Sequence, residues 1–120
     1  MKNLFKILLL SFLVFSCDKD DGRKISYYKN GNIKQEEIRF WNGKEYFGIS
    51  TTNYYQNGNK SSYSYYSDQG STNIYYYNNG NIREEVKINI MGDEEWWSTK
   101  TYHQNGDLKE DTFKVIKKNN

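Results

Sequence analysis

Residues 27–34 read Tyr-Tyr-Lys-Asn-Gly-Asn-Ile-Lys, and this stretch decides the fold because the chain repeats it. Related stretches occur at residues 54–60, 76–83 and 102–109. The shared pattern is an aromatic pair, one spacer, Asn-Gly, a short polar residue, usually an apolar residue, and a base. Asn-Gly predicts a two-residue type I′ turn, in which both central residues have positive φ. Since aromatic residues precede each turn and branched residues follow it, each copy predicts a β-hairpin.

The turns of this array fall into a strong set and a weak set. The strong set consists of the four Asn-Gly pairs: Asn30, Gly31, Asn57, Gly58, Asn79, Gly80, Asn105 and Gly106. Each of the first three pairs is followed at the same offset by another glycine: Gly43, Gly70 and Gly92. The constant offset predicts that the two sets alternate at opposite ends of the strands. We therefore expect an all-β fold, an antiparallel meander of repeated hairpins over residues 25–116, with a polar tail at residues 117–120.

The apolar positions of two strands indicate which residues share a face. After Gly80, alternation with period two predicts that Ile82, Val86, Ile88 and Ile90 lie on one face. After Gly31, the apolar positions change parity between Ile33 and Ile38, which predicts a β-bulge in that strand.

The composition indicates a thin, aromatic sheet. Aromatic residues make up 18% of the chain, while the mean hydropathy is −1.01, so aliphatic core material is scarce. The chain has 17 basic and 15 acidic residues, and two of the bases, Lys2 and Lys6, lie in the leader described below. The remainder is electrically balanced, and no nucleic-acid partner is expected.

Residues 1–16 predict a signal peptide. Two lysines precede an apolar run from residue 7 to residue 15, which only Ser11 interrupts. This run is about half the ~20 residues that a membrane-spanning helix needs. It ends in Val-Phe-Ser-Cys at residues 14–17, which resembles a bacterial lipoprotein signal. The resemblance implies lipidation of Cys17 and anchoring by more than one acyl chain.

The segment after the leader is an acidic tether. We assign residues 17–24 to the lipidated cysteine and this tether. The stretch Asp-Lys-Asp-Asp-Gly at residues 18–22 resembles the export signal of some Bacteroidota-type surface lipoproteins. The implied location is the bacterial cell envelope, with the chain anchored by lipid in the outer membrane and exposed at the surface.

The repeated stretch also resembles the bacterial variant of the MORN repeat, from about residue 27 to residue 113. Phe47-Gly48-Ile49 and Trp96-Trp97 lie near the Gly and Trp positions of that repeat. The resemblance implies a hairpin-repeat sheet that binds proteins or acts at membranes. In some members it implies the neutralisation of a partner toxin, as an antitoxin or immunity protein does. It supplies no catalytic residues.

The sequence contains no recognisable catalytic set. His103 is the only histidine, and it occupies the position held by Tyr28, Tyr55 and Tyr77 in the other copies, which predicts a structural ring. With Cys17 assigned to lipid, neither a metal site nor Cys-His catalysis has its residues. Adjacent carboxylates on a strand point to opposite faces, so they do not form a glycosidase pair. We expect no enzyme activity, no metal and no cofactor.

The three tryptophans admit two interpretations. Trp41, Trp96 and Trp97 are candidates for an exposed binding platform, since aromatic residues are enriched at binding surfaces. Alternatively, they cover the core face of the sheet. Our leading hypothesis is a non-enzymatic, lipid-anchored protein that binds another protein, as an immunity factor would. The alternatives are a surface glycan-binding module that uses ring stacking and a structural envelope lipoprotein without a discrete ligand.

Overall fold

The computed structural model describes residues 22–118. The proposed signal peptide, Cys17, most of the acidic tether and the last two residues of the tail lie outside this range. Those assignments remain predictions from the sequence.

One antiparallel sheet contains all the secondary structure of residues 22–118, and its strand order is the order of the chain. The strands are β1 (Arg23–Tyr27), β2 (Ile33–Trp41), β3 (Tyr46–Tyr54), β4 (Lys60–Ser67), β5 (Gly70–Tyr76), β6 (Ile82–Met91), β7 (Glu94–Tyr102) and β8 (Leu108–Lys117). The all-β meander predicted from the repeats is confirmed. The Asn-Gly turns join the strands of each odd–even pair, and the weaker glycine turns join successive pairs at the other end.

The Asn-Gly turns are three-residue loops, so the predicted type I′ geometry is wrong. In the first copy, the amide of Gly31 donates to the carbonyl of Tyr28 at 3.0 Å, and the amide of Tyr28 donates to the carbonyl of Asn32 at 2.8 Å. Gly31 has φ of 87°, whereas no non-glycine residue in the described part of the chain has positive φ. This is the pattern of a type I turn followed by a left-handed glycine bulge. It avoids the steric cost of a left-handed asparagine.

A second irregularity follows every Asn-Gly turn. In the first hairpin Ser26 lies opposite Gln35, but Tyr27 lies opposite Ile33, so β2 contains one extra residue there. The same register shift occurs in the other three hairpins. The bulge predicted from the parity change after Ile33 is confirmed. Because the third hairpin has it too, Ile82 is out of phase with the row of Val86, Ile88 and Ile90, and its predicted face is wrong.

The sheet extends slightly beyond the predicted ends. β1 begins at Arg23, whose guanidinium lies 2.7 Å from the carboxylate of Glu36, so the last two tether residues belong to the sheet. At the other end, Lys117 is the last residue of β8, and the amide of Lys118 donates to the carbonyl of Asp93 at 2.8 Å. The first two residues of the predicted tail are therefore paired with β7 and its turn.

The sheet is a single layer. Only consecutive strands contact each other, and no apolar side chain among residues 22–118 is fully buried. Within the described range, the buried residues are Ser50 and Thr52 in the middle of β3, with 5% and 8% of their surface exposed. They lie opposite Tyr65 and Tyr63 of β4, whose rings are half-buried. Neighbouring rings that shelter small residues thus take the place of a two-layer core.

Candidate binding surfaces

The Asn-Gly turns form a hydrogen-bonded ladder at one end of the sheet, which we call the asparagine end. The hydroxyl of Tyr28 donates to the carbonyl of Tyr54 in the next copy at 2.6 Å. The side-chain amide of Asn32 donates to the carbonyl of Gln56 at 2.8 Å. Asn30 adds a bond to the same carbonyl at 3.2 Å, while its Oδ1 accepts the backbone amide of Asn32.

The same bonds join the second copy to the third and the third to the fourth. Tyr55 donates to the carbonyl of Tyr76, and Tyr77 donates to the carbonyl of Tyr102, both at 2.9 Å. The asparagine bonds also recur, from residues 57 and 59 to the carbonyl of residue 78 and from residues 79 and 81 to that of residue 104. The predicted turn residues therefore have a structural task, which is to tie each hairpin to the next one.

The opposite end of the sheet carries aromatic rings on both of its faces around the β2–β3 turn, and we call these rings the aromatic corner. Its residues are Phe40, Trp41, Tyr46, Phe47 and Tyr65. Trp41 and Tyr46 have ring centroids 4.9 Å apart, and Phe40 lies 6.0 Å from Phe47 and 5.7 Å from Tyr65. Trp41, Tyr46 and Phe47 are 53%, 57% and 46% exposed. These distances are those of interacting aromatic pairs.

The backbone holds this corner in place. Asn42 Oδ1 accepts the amides of Lys44 and Glu45, both at 2.9 Å, which closes the turn between the ring-bearing strands. Below the rings, Gly48 leaves room for Tyr65, because a Cβ at this position would come within 2.7 Å of the phenolic oxygen. The rings therefore project from an ordered turn, and binding there would cost little side-chain entropy.

The structure does not bring the three tryptophans together into one platform. Trp96 and Trp97 are neighbours in β7, so their side chains lie on opposite faces of the sheet. Trp41 lies in β2, five strands away, which corresponds to about 24 Å at ~4.8 Å per strand. Only Trp41 belongs to the aromatic corner. The alternative interpretation, in which the tryptophans cover a core face, lacks the two-layer core that such a face requires.

The two tryptophans of β7 have separate surroundings. Trp96 packs edge-on against Phe113, with centroids 5.9 Å apart, and its Nε1 donates to Glu94. On the other face, Trp97 donates from Nε1 to Glu95 at 3.2 Å. The hydrogen bond from Lys118, then the one from Trp97, and lastly the charge of Lys118 lower the pKa of the Glu95 carboxyl.

Trp97 borders a shallow depression of about 390 Å³ between β6, β7 and β8. The ammonium of Lys114 lies 4.8 Å from the centroid of the indole. The walls combine this ring with the aliphatic side chain of Val86 and with hydroxyl and carboxylate groups: Thr99, Thr101, Glu110 and Thr112. The Oγ1 atom of Thr101 is buried and makes no hydrogen bond within the described part of the chain. An aromatic face beside hydroxyl and carboxylate groups is chemically suited to a small polar ligand such as a sugar.

The remaining candidates for chemistry stay apart. Residues 22–118 contain no group of three or more histidine, cysteine, aspartate or glutamate side chains that could hold a metal ion. His103 lies exposed at the last Asn-Gly turn, where its backbone amide donates to the carbonyl of Asp107 at 2.8 Å. In the same range, no helix is long and apolar enough to cross a membrane.

Sequence reasoning missed most of the aromatic corner. Phe40 and Tyr65 lie on β2 and β4, which are not neighbours, and no local pattern shows that the β2–β3 and β3–β4 registers bring these two rings together. A usable signal was present in the density of rings around Gly43, where Phe40 and Trp41 precede the turn and Tyr46 and Phe47 follow it.

Comparison with known protein families agrees with the repeat geometry. The family described as MORN repeat variant matches residues 20–42 and 72–88. These segments contain the first Asn-Gly turn and the third, and together they cover a minority of the chain. The match supports a MORN-repeat protein, and repeats of this class often take part in binding rather than in catalysis. No curated protein and no solved structure matches the chain.

Proposed function

We propose that the chain is a non-enzymatic binding protein whose aromatic corner contacts another protein. The observation that carries this proposal is the exposure of Trp41, Tyr46 and Phe47 at an ordered turn. Trp and Tyr are the residues most enriched among the hot spots of protein interfaces, where a few rings supply most of the binding energy. Lys44 and Glu45 flank the rings in the turn and would form a polar rim.

The test compares wild-type chain with Trp41→Ala/Tyr46→Ala. Full-length protein is purified from envelope membranes in mild detergent, its partner is identified, and the affinity for that partner is measured with each variant. We expect the double variant to bind at least about 30-fold more weakly, as for the loss of a hot spot of ~2 kcal/mol.

The matched control is Met91→Ala. Met91 is 59% exposed, close to Tyr46 at 57%, and lies at the same end of the sheet two hairpins away. Its removal should leave the affinity unchanged. Equal binding by Trp41→Ala/Tyr46→Ala and wild type would reject the aromatic corner as the contact. The absence of any specific protein partner would reject the protein-binding function altogether.

We further propose that Cys17 anchors the protein in the bacterial outer membrane, at the cell surface. The apolar leader and the Val-Phe-Ser-Cys sequence support this step. Mass spectrometry of the mature N-terminus should find Cys17 as the first residue with attached acyl chains, and Cys17→Ser should release the protein from membranes. A mature protein that retains residues 1–16 would contradict the proposal.

The resemblance to antitoxin- or immunity-like repeat proteins supports a narrower version, in which the partner is a toxin. The purified chain should then abolish the toxic activity of its partner at equimolar ratio, and Trp41→Ala/Tyr46→Ala should not. A partner with no toxic activity in cells that lack this protein would reject the immunity function, while the proposed protein-binding function would still stand.

One observation favours a second function, which is the binding of a surface glycan. The depression beside Trp97 offers an indole, threonine hydroxyls and Glu110 on one face. On a glycan array, Trp97→Ala should lose the signal of the full chain, whereas Trp96→Ala, on the opposite face, should keep it. Equal losses in both variants, or no bound glycan with wild type, would reject this site.

A further inference from the structure

The hydrogen-bonded ladder of the asparagine end has a direction. In each of the first three copies, a tyrosine hydroxyl and asparagine amides donate to backbone carbonyls of the following copy. Donors therefore point toward β8, and acceptors face toward β1. A stack with this polarity has one end with unused acceptors and another end where the donors would project beyond the sheet.

The last copy keeps the first asparagine, Asn105, but lacks the other two cross-copy donors. His103 replaces the tyrosine, and Asp107 replaces the asparagine that follows the glycine. An ionised carboxylate only accepts hydrogen bonds. Asp107 uses Oδ2 to accept the side-chain amide of Asn105 at 2.9 Å, within its own turn. The tyrosine hydroxyl and the second asparagine amide, which would find no following hairpin among residues 22–118, are thus absent from the last copy, and the amide of Asn105 is used within its own turn.

A second copy of the chain could otherwise continue the sheet. The sheet is a meander with an even number of strands, so β8 runs antiparallel to β1. β1 of a second copy could therefore pair with β8 in the antiparallel sense, as β7 does on the other side of β8. By equivalence with Tyr54 and Gln56, the carbonyls that would accept donors from the last copy are those of Tyr27 and Lys29. Among residues 22–118, no side chain donates to either of these carbonyls.

The exposed β8 edge makes such pairing a hazard. All ten residues of β8 are exposed, including Leu108 at 54% and Phe113 at 62%. A long edge strand with apolar side chains is a template for pairing with another chain. A head-to-tail contact of this kind leaves one unused edge at each end, and it would generate open filaments.

We propose that His103 and Asp107 terminate the array and prevent a second copy from adding to β8. At the junction, the Asp107 carboxylate would face the carbonyl oxygen of Lys29, so two acceptors would oppose each other and lose their water. The imidazole of His103 is shorter than a phenol and would leave the carbonyl of Tyr27 without its donor. The proposal does not depend on which partner the aromatic corner binds.

The test restores the repeat residues with His103→Tyr/Asp107→Asn in the full chain. Sedimentation equilibrium in density-matched detergent measures self-association against wild type, and circular dichroism checks the fold. We expect wild type to remain monomeric and the variant to associate with a dissociation constant at least about 30-fold lower, the factor for two neutral hydrogen bonds. The associated species should be elongated and should grow with concentration.

The matched control is His103→Phe/Asp107→Ala. This control supplies a ring of similar size and removes the carboxylate, but it adds no hydrogen-bond donor. Its dissociation constant should therefore remain higher than that of the restored variant by most of the difference expected between wild type and the restored variant. Three outcomes would overturn the proposal: a restored variant that sediments like wild type, a control that associates as strongly as the restored variant, or a closed dimer that does not grow.

Discussion

Tyr55→Phe tests whether the tyrosine rungs hold neighbouring hairpins together. The substitution keeps the ring and removes only the hydroxyl, which donates to the half-buried carbonyl of Tyr76 at 2.9 Å. A neutral hydrogen bond contributes about 0.5–1.5 kcal/mol to stability, and the carbonyl left behind loses its partner. We expect a loss of about 1 kcal/mol in the free energy of unfolding, or roughly 4–8 °C in Tm for a domain of this size.

The assay is urea unfolding of the full chain, followed by circular dichroism, with the m-value as a check that the same surface unfolds. The control is His103→Phe, which places the same ring in the equivalent position of the last copy, which no further hairpin follows within residues 22–118. This change should stay within about 0.5 kcal/mol of wild type. If the two variants lose equal stability, or if Tyr55→Phe loses none, the ladder does not stabilise the sheet.

Two further predictions concern the weak turns and the response to pH. Gly70→Ala should destabilise the protein by more than ~3 kcal/mol, because the new Cβ would come within 2.0 Å of the carbonyl oxygen of Ile88. The control, Gly43→Ala, meets no atom within 4 Å and should cost only the ~1–2 kcal/mol of a left-handed alanine. Similar urea midpoints for the two variants would contradict this prediction. Burial, and then the charge of Glu85, raise the pKa of the Tyr76 phenol, so stability should be constant below the ordinary tyrosine pKa and fall as the pH rises from about 10 through the raised pKa. Tyr76→Phe should lose less stability than wild type between about pH 9 and 11 in urea titrations, and identical alkaline losses would show that Tyr76 does not carry the effect.

Local sequence was a good guide to the bends and a poor guide to their geometry. Each Asn-Gly pair marks a turn because glycine reaches positive φ without a steric cost, and Gly31 does so at 87°. The prediction failed for Asn30, which keeps a negative φ. In that conformation its side chain bonds both the amide of Asn32 and the carbonyl of Gln56. The second of these bonds lies between copies, and no single hairpin contains the information for it.

The amino-acid sequence by itself determined the all-β meander, the positions of its bends and the bulge after Ile33, because turn chemistry and period-two patterns act over a few residues. Only the tertiary structure decided which side chains meet. Strand order placed Trp41, with Tyr46, at a corner five strands away from Trp96 and Trp97. It also revealed that the ladder of donors has a direction, and that His103 and Asp107 stand where it ends. Such relations depend on the alignment of separate strands, which is set by the whole sheet.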